Sequence, residues 1–481
     1  MSEPADVYEP GASIGAPNQT PALVLYADGD RQHQNPNYSL PLAAYTQQDI
    51  ESYLQKGRLS ALDNAVRDLK CIIKPGKKRE HALRTIVQNL FVAWYTKGNP
   101  FVAVQMSNGA YTKGSHMNLL YLDRLSVRGV VTALTNGGYI EEYPEFYNAE
   151  KRAWRCTRIR AARGLVELFI KYALDIRTFK KESPLVILRD KDKSPVNITR
   201  GRLAAEAKRF HPALIEINEM LRGAVIQLRL SEDEFIKTFV IARADGKKPC
   251  TPPNPCDIAY KRVFNVDYQH GGRFYGPWWQ GIPRDLRKHI TINGFPVVEL
   301  DYKSIHPTML YLREGLPPKK EPYVVEPYGE PYKPVFKKML NMAINAERTE
   351  SAMRALRMAI IEDSELDRVF HKCTFNEWLV PAWEAMCKFH EPIKRHLSSG
   401  AGLELQRLDS DIAEHVMLKM KQQGIPVLAV HDSFIVPNVH EHALGAAMIE
   451  ASKAIVGGVI PYSNKMPENS LFGGRFLRNS A

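Results

Sequence analysis

Two short stretches constrain what this 481-residue chain can fold into more than any other feature. Each is a run of strand-forming apolar residues that carries one aspartate out to its end: Val297-Val298-Glu299-Leu300-Asp301, and Val427-Leu428-Ala429-Val430-His431-Asp432. Such runs read as buried strands, and a carboxylate at the end of one is placed where solvent or a ligand reaches it. Taken alone, either aspartate serves as well as a turn or helix cap. What argues for a site is the pairing of the two with the residues between them.

Charge points to a class of partner. A formal net charge of +12 and a pI of about 9.2 favour a polyanion, nucleic acid first, over a merely basic soluble protein. Hydrophobic residues at 44% and charged residues at 25% suit an ordinary globular chain long enough for more than one domain. No run of about 18 apolar residues occurs, so no membrane partner is expected. The cysteines are scattered without a dense framework, which suits a reducing, cytoplasmic setting. Cys250 and Cys256 are close-set, but their spacing fits no common zinc site.

Residues 1–45 are Pro/Gly-rich, open on an acidic stretch without an apolar leader run, and read as a flexible tail. Helical periodicity follows over Asp49 to Leu54, Leu59 to Leu69 and His81 to Trp94, with a stop at Lys97-Gly98-Asn99-Pro100. Ser126 is the expected N-cap of a helix from Val127 to Thr135, closed by Gly137-Gly138. Two strands around a charged, aromatic turn come next, over Tyr139 to Glu141 and Trp154 to Ile159. That order resembles a winged helix-turn-helix within residues 46–175, a fold that lays one helix in the major groove. The resemblance implies DNA contacts by Arg128 on the helix and by Lys151, Arg152, Arg155 and Arg158 on the wing. A purely structural unit with a solvated basic edge is the other reading. Residues 176–255 read as a helical, thumb-like region and linker, ending at the Pro-rich Lys247 to Pro255 boundary. Residues 256–481 carry the chemistry.

Within that last part, Gly271-Gly272-Arg273-Phe274-Tyr275 and the basic Arg284 and Arg287 combine permissive backbone with phosphate-neutralising and stacking groups, as a strand-binding groove needs. Trp278 and Trp279 read as core. Asp301-Tyr302-Lys303-Ser304-Ile305-His306-Pro307 resembles motif A of the polymerase palm, in wording nearest the family B DNA polymerases. The helix from Lys333 resembles the fingers helix of family A, with Lys333 and Lys337 on its two basic positions and Asn341 and Asn345 in place of its aromatic pair. Gln406 to Ile412 resembles the Gln-bearing helix before motif C, and His431-Asp432-Ser433-Phe434 matches motif C of phage-type single-subunit RNA polymerases.

The resemblance to the family A DNA polymerase and single-subunit RNA polymerase superfamily implies an α+β right-hand fold: an antiparallel-sheet palm with helical fingers and thumb. It implies two Mg²⁺ ions, or Mn²⁺ in their place, held by Asp301, Asp432 and the Tyr302 backbone. A nucleoside triphosphate would be bound by Lys333, Lys337, Asn341, Asn345, Ser304 and His306, the last standing where a bulky side chain excludes a 2′-hydroxyl. Primer and template would meet Gly272, Arg273, Tyr275, Arg284, Arg287, Gln406 and His431. The expected activity is template-directed DNA synthesis; synthesis from ribonucleotides, and a DNA-binding initiator or regulator with an inactive palm, are the alternatives.

Overall fold

The computed structural model describes residues 39–41, 45–47, 61–96, 101–112, 117, 120–148, 153–176, 179–181, 184–198, 200–240, 253–469 and 471. Most of the expected tail, the Asp49 to Leu54 segment, the Lys97 to Pro100 stop and residues 247–252 lie outside them. The chain is a mixed α+β protein with mainly antiparallel sheets. Its apolar residues divide into two cores.

The first unit comprises β1 (Ser39–Pro41), α1 (Ala61–Leu69), α2 (Lys77–Tyr95), β2 (Phe101–Val104), α3 (Arg124–Asn136), β3 (Ile140–Tyr143), the short hairpin β4 (Phe146–Asn148) and β5 (Ala153–Arg155), and β6 (Thr157–Ala161), its core drawing on α1, α2, β2, α3, β3 and β6. Four of these strands form one sheet in the order β1-β2-β6-β3. Helix α3 buries Val127, Val130, Val131 and Leu134, the face that the sequence spacing selects. Its cap is Asp123, which accepts from Ser126 N at 3.0 Å. Ser126, an equally good cap by residue type, therefore sits inside the first turn rather than at its start. Gly138, at φ +72°, lets the chain leave the helix.

The second core starts earlier than the motifs. It takes in β7 (Val186–Arg189), α4 (His211–Arg222), β8 (Ile226–Leu228), β9 (Lys261–Asn265), β10 (Asp267–Tyr275), β11 (Ile290–Ile292) and β12 (Phe295–Tyr302). It continues through α5 (Ile305–Arg313), α6 (Lys333–Asn345), α7 (Gly402–Gln422), β13 (Leu428–Val430), β14 (Ser433–Pro437), α8 (Glu441–Val456) and β15 (Tyr462–Asn464). Residues 176–255, expected to be helical, thus include strands: besides Phe179–Lys181, which pairs with Tyr45–Gln47, there are β7 and β8. Each is short and pairs with a distant partner, β7 with β9 in parallel and β8 with β11, so neither leaves a local period to read.

The large sheet runs β8-β11-β12-β14-β13, with β15 also on β12. Strand β12 has apolar neighbours on both faces, and Val297, Val298 and Leu300 are fully buried. It ends where Ser304 turns left-handed at φ +50° and starts α5. Across the sheet, α7 lies against β10 and α8, burying Leu405, Ile412 and Val416 as the sequence stripe requires. Trp278 and Trp279 are buried, and Trp279 donates to Tyr260 Oη, which is itself bonded to Ala429 in β13. No helix among the described residues is long and apolar enough to cross a membrane. Cys71, Cys156, Cys373 and Cys387 are free thiols.

Candidate active site

The pairing of β12 with β14 sets the geometry. Asp301 is opposite Ser433, one residue from Asp432, and Tyr302 N donates to Asp432 O at 3.2 Å. The loop between β13 and β14 is His431-Asp432, and His431 adopts the left-handed φ of +59° that so tight a hairpin demands. Both aspartates therefore emerge at one end of neighbouring strands. Burial, and then the negative charge of Asp301, push the Asp432 carboxyl up to about 6; Arg273 and a backbone hydrogen bond oppose the shift. Two carboxylates that repel each other in a partly desolvated corner form a hard-oxygen donor set suited to a divalent cation. Among the described residues no set of three His, Cys, Asp or Glu side chains is arranged to hold a metal. The protein's own donors at this corner are the two carboxylates.

Around them stands a second layer. Arg273 Nε lies 3.1 Å and 3.0 Å from the two oxygens of Asp409, and His306 Nε2 lies 2.9 Å from Asp409 Oδ2. Asp409 is 3% exposed, so this carboxylate is held by an arginine and a histidine away from water. His431 meets the edge of the Tyr275 ring with centroids 5.4 Å apart. Burial, and then Arg273, lower the pKa of His431, which keeps the imidazole neutral. Tyr323 is buried, which raises its pKa, and it lies close enough to Asp432 to feel its charge.

Gly271 and Gly272 take φ values of +75° and +79°. A Cβ on Gly272 would sit 2.7 Å from the Phe264 ring, so close internal packing already requires glycine there. The Gly272 carbonyl accepts from Arg262 Nε at 2.7 Å. Arg262 is fully buried, bonds Ser410 and Glu414 on α7, and is stacked among Phe210, Phe264 and Phe274. It locks β9 and β10 to the helix that carries Asp409 and Gln406.

The other expected contacts are arranged differently. Lys333 pairs with Glu321 and Glu330, at 2.7 and 2.9 Å, and Lys337 lies over the Tyr323 ring. Asn341 and Asn345 are exposed on α6, bonded to each other through the Asn341 carbonyl. Arg287 turns inward to Glu299, Arg284 is exposed, and Gln406 is half-buried on α7. In the N-terminal unit Arg128 is exposed on α3. The Arg158 guanidinium lies over the rings of Phe101 and Tyr143, 5.0 and 5.8 Å from their centroids. Lys151, Arg152 and the Arg155 side chain fall outside the described residues.

Four residues at this corner were not singled out from the sequence: Asp409, Tyr323, Glu299 and Lys465. Asp409 was visible in principle, since Leu405, Asp409, Ile412 and Val416 share one helical face, and an acid on an apolar stripe calls for a partner. Glu299, two residues before Asp301 and on the same face of β12, is an acid within an apolar strand. It accepts from Ser433 Oγ at 2.6 Å and from Arg287 at 3.0 Å. Tyr323 and Lys465 lie in segments with no readable pattern.

No protein-family model matches the chain, and no curated protein matches it. A solved structure similar to it is the POL domain of Pol1 from M. smegmatis in complex with DNA primer-template and dNTP. The identity is 12%, the TM-score 0.24, and the alignment covers 84% of this chain and 65% of that one. A likeness of that size decides nothing about topology or activity. The site geometry carries the functional reading.

Proposed function

We propose that the chain is a template-directed nucleotidyltransferase that adds deoxynucleotides to a primer 3′ end. The reading rests on one observation: Asp301 and Asp432 end neighbouring strands, where burial, and then the charge of Asp301, raise the Asp432 pKa to about 6. Asp301 and Asp432 would hold Mg²⁺, which would supply Lewis-acid stabilisation of the charge in phosphoryl transfer. The protein's own part is to fix the two carboxylates on rigid strands and to keep His431 neutral beside them. The guanidinium of Arg273 acts electrostatically on Asp432, where it would also meet the charge of a bound triphosphate or primer. His306, held by Asp409, is the side chain that would sense the sugar. For deoxynucleotide use the support is this braced imidazole. For the ribonucleotide alternative it is the His-Asp-Ser-Phe wording of the turn.

The N-terminal unit, with exposed Arg128 on α3, is proposed to bind duplex DNA. An initiator or regulator with an inactive palm would keep that binding and lose incorporation. Incorporation of dNTPs on a primed template with Mg²⁺ or Mn²⁺, run beside NTPs and beside a metal-free control, separates the readings. Metal-dependent incorporation of dNTPs over NTPs is expected; binding without incorporation of either would reject the enzyme reading.

A further inference from the structure

Strand β15 places a basic residue on the carboxylate pair. It pairs antiparallel with the end of β12, Asp301 opposite Ser463, and Lys465 N donates to Glu299 O at 2.7 Å. With its backbone fixed there, the Lys465 side chain reaches back to Asp301, Nζ to Oδ2 at 2.8 Å. The side chains are 28% and 23% exposed, so the pair is neither a surface bridge screened by solvent nor a fully desolvated one. The neighbouring arginines are engaged elsewhere, Arg287 with Glu299 and Arg273 with Asp409. Lys465 thus holds an oxygen that a divalent cation at the pair would use.

An ammonium on a metal-binding carboxylate has two physical consequences. It relieves the repulsion between Asp301 and Asp432 in the cation-free protein, and it must be outcompeted before a cation can use Asp301 Oδ2. A triphosphate would offer the lysine a second anionic partner and the cation further oxygen ligands. We propose that Lys465 is an internal counter-ion for Asp301, one that holds the cation site closed in the free protein and yields it when nucleotide arrives. The proposal builds on the nucleotidyl-transfer reading of this site. It makes cation loading dependent on nucleotide binding.

The test uses the full chain and Mn²⁺ alone, following free aquo-Mn²⁺ by its paramagnetic resonance signal without activity as a readout. Lys465→Met is expected to bind Mn²⁺ roughly tenfold more tightly than wild type without nucleotide, since one repelling charge is gone. Lys465→Arg, which keeps the charge and the packing, is expected to bind as wild type does. With a non-hydrolysable dNTP analogue present, wild type and Lys465→Met are expected to converge. Equal or weaker Mn²⁺ binding by Lys465→Met without nucleotide would overturn the counter-ion. Asp301→Asn and Asp432→Asn keep the two questions apart: Mn²⁺ binding that survives in both would reject the carboxylate pair itself, whatever Lys465 does.

Discussion

Asp409 Oδ2 lies 2.9 Å from His306 Nε2, and Arg273 clasps the same carboxylate from the other side. The imidazole at the start of α5 is therefore positioned by a helix about a hundred residues further on. Asp409→Asn keeps the shape and removes the charge, which frees both partners to move. Discrimination between dNTP and NTP, read as the ratio of their kcat/KM values, is expected to fall by roughly tenfold, about 1.4 kcal/mol. His306→Ala should lower the same ratio, and the double variant should lose little more than either single one. Additive losses would mean that Asp409 and His306 act independently.

Arg262 is expected to be a stability determinant. Its guanidinium is fully buried and joins Gly272, Ser410, Asp411 and Glu414. Arg262→Met should destabilise the fold by about 3–5 kcal/mol, because it leaves buried polar partners without a donor. Arg262→Lys should recover little of this, since an ammonium cannot bond in so many directions within one plane. Urea unfolding checks both; a loss below about 1 kcal/mol would show that the cluster contributes little.

Acid should weaken the protein through His390. Its imidazole is buried, Nε2–H donating to Pro322 O at 2.8 Å and Nδ1 accepting from Tyr311 Oη at 3.1 Å. Burial lowers its pKa from 6.5 to about 4, so between these values the unfolded chain binds a proton that the folded chain refuses. Its contribution is fully present above pH 6.5 and is lost as pH falls toward 4, by about 3 kcal/mol in total. Comparing unfolding free energies of wild type and His390→Gln at pH 7 and pH 4.5 isolates the term: the variant should lose less on acidification.

How much of this was legible in the sequence follows from the kind of pattern each part leaves. The strands ending in Asp301 and Asp432, the hairpin at His431 and the stripe of α7 are local periodicities, and all three form as the residues dictate. Strands β7 and β8 were not legible, because three or four residues paired at long range carry no period of their own. The α3 cap was misplaced by three residues because Asp123 and Ser126 are both good caps, and only the observed hydrogen bond chooses between them. At the site, Asp409 and Glu299 were readable as acids on apolar faces. The ion pair of Lys465 with Asp301 was not, since it depends on a strand added 160 residues downstream of β12.

The measurement that bears most directly on the central claim is single-turnover primer extension by wild type, Asp301→Asn and Asp432→Asn at saturating Mg²⁺ and dNTP, with folding checked by circular dichroism. Each substitution keeps the side-chain shape and removes one of the two carboxylates. The expected result is a loss of roughly 10³-fold or more in either variant, the several kcal/mol that metal-assisted charge stabilisation supplies. Extension by either variant within about tenfold of wild type would contradict the assignment of Asp301 and Asp432 as the catalytic pair.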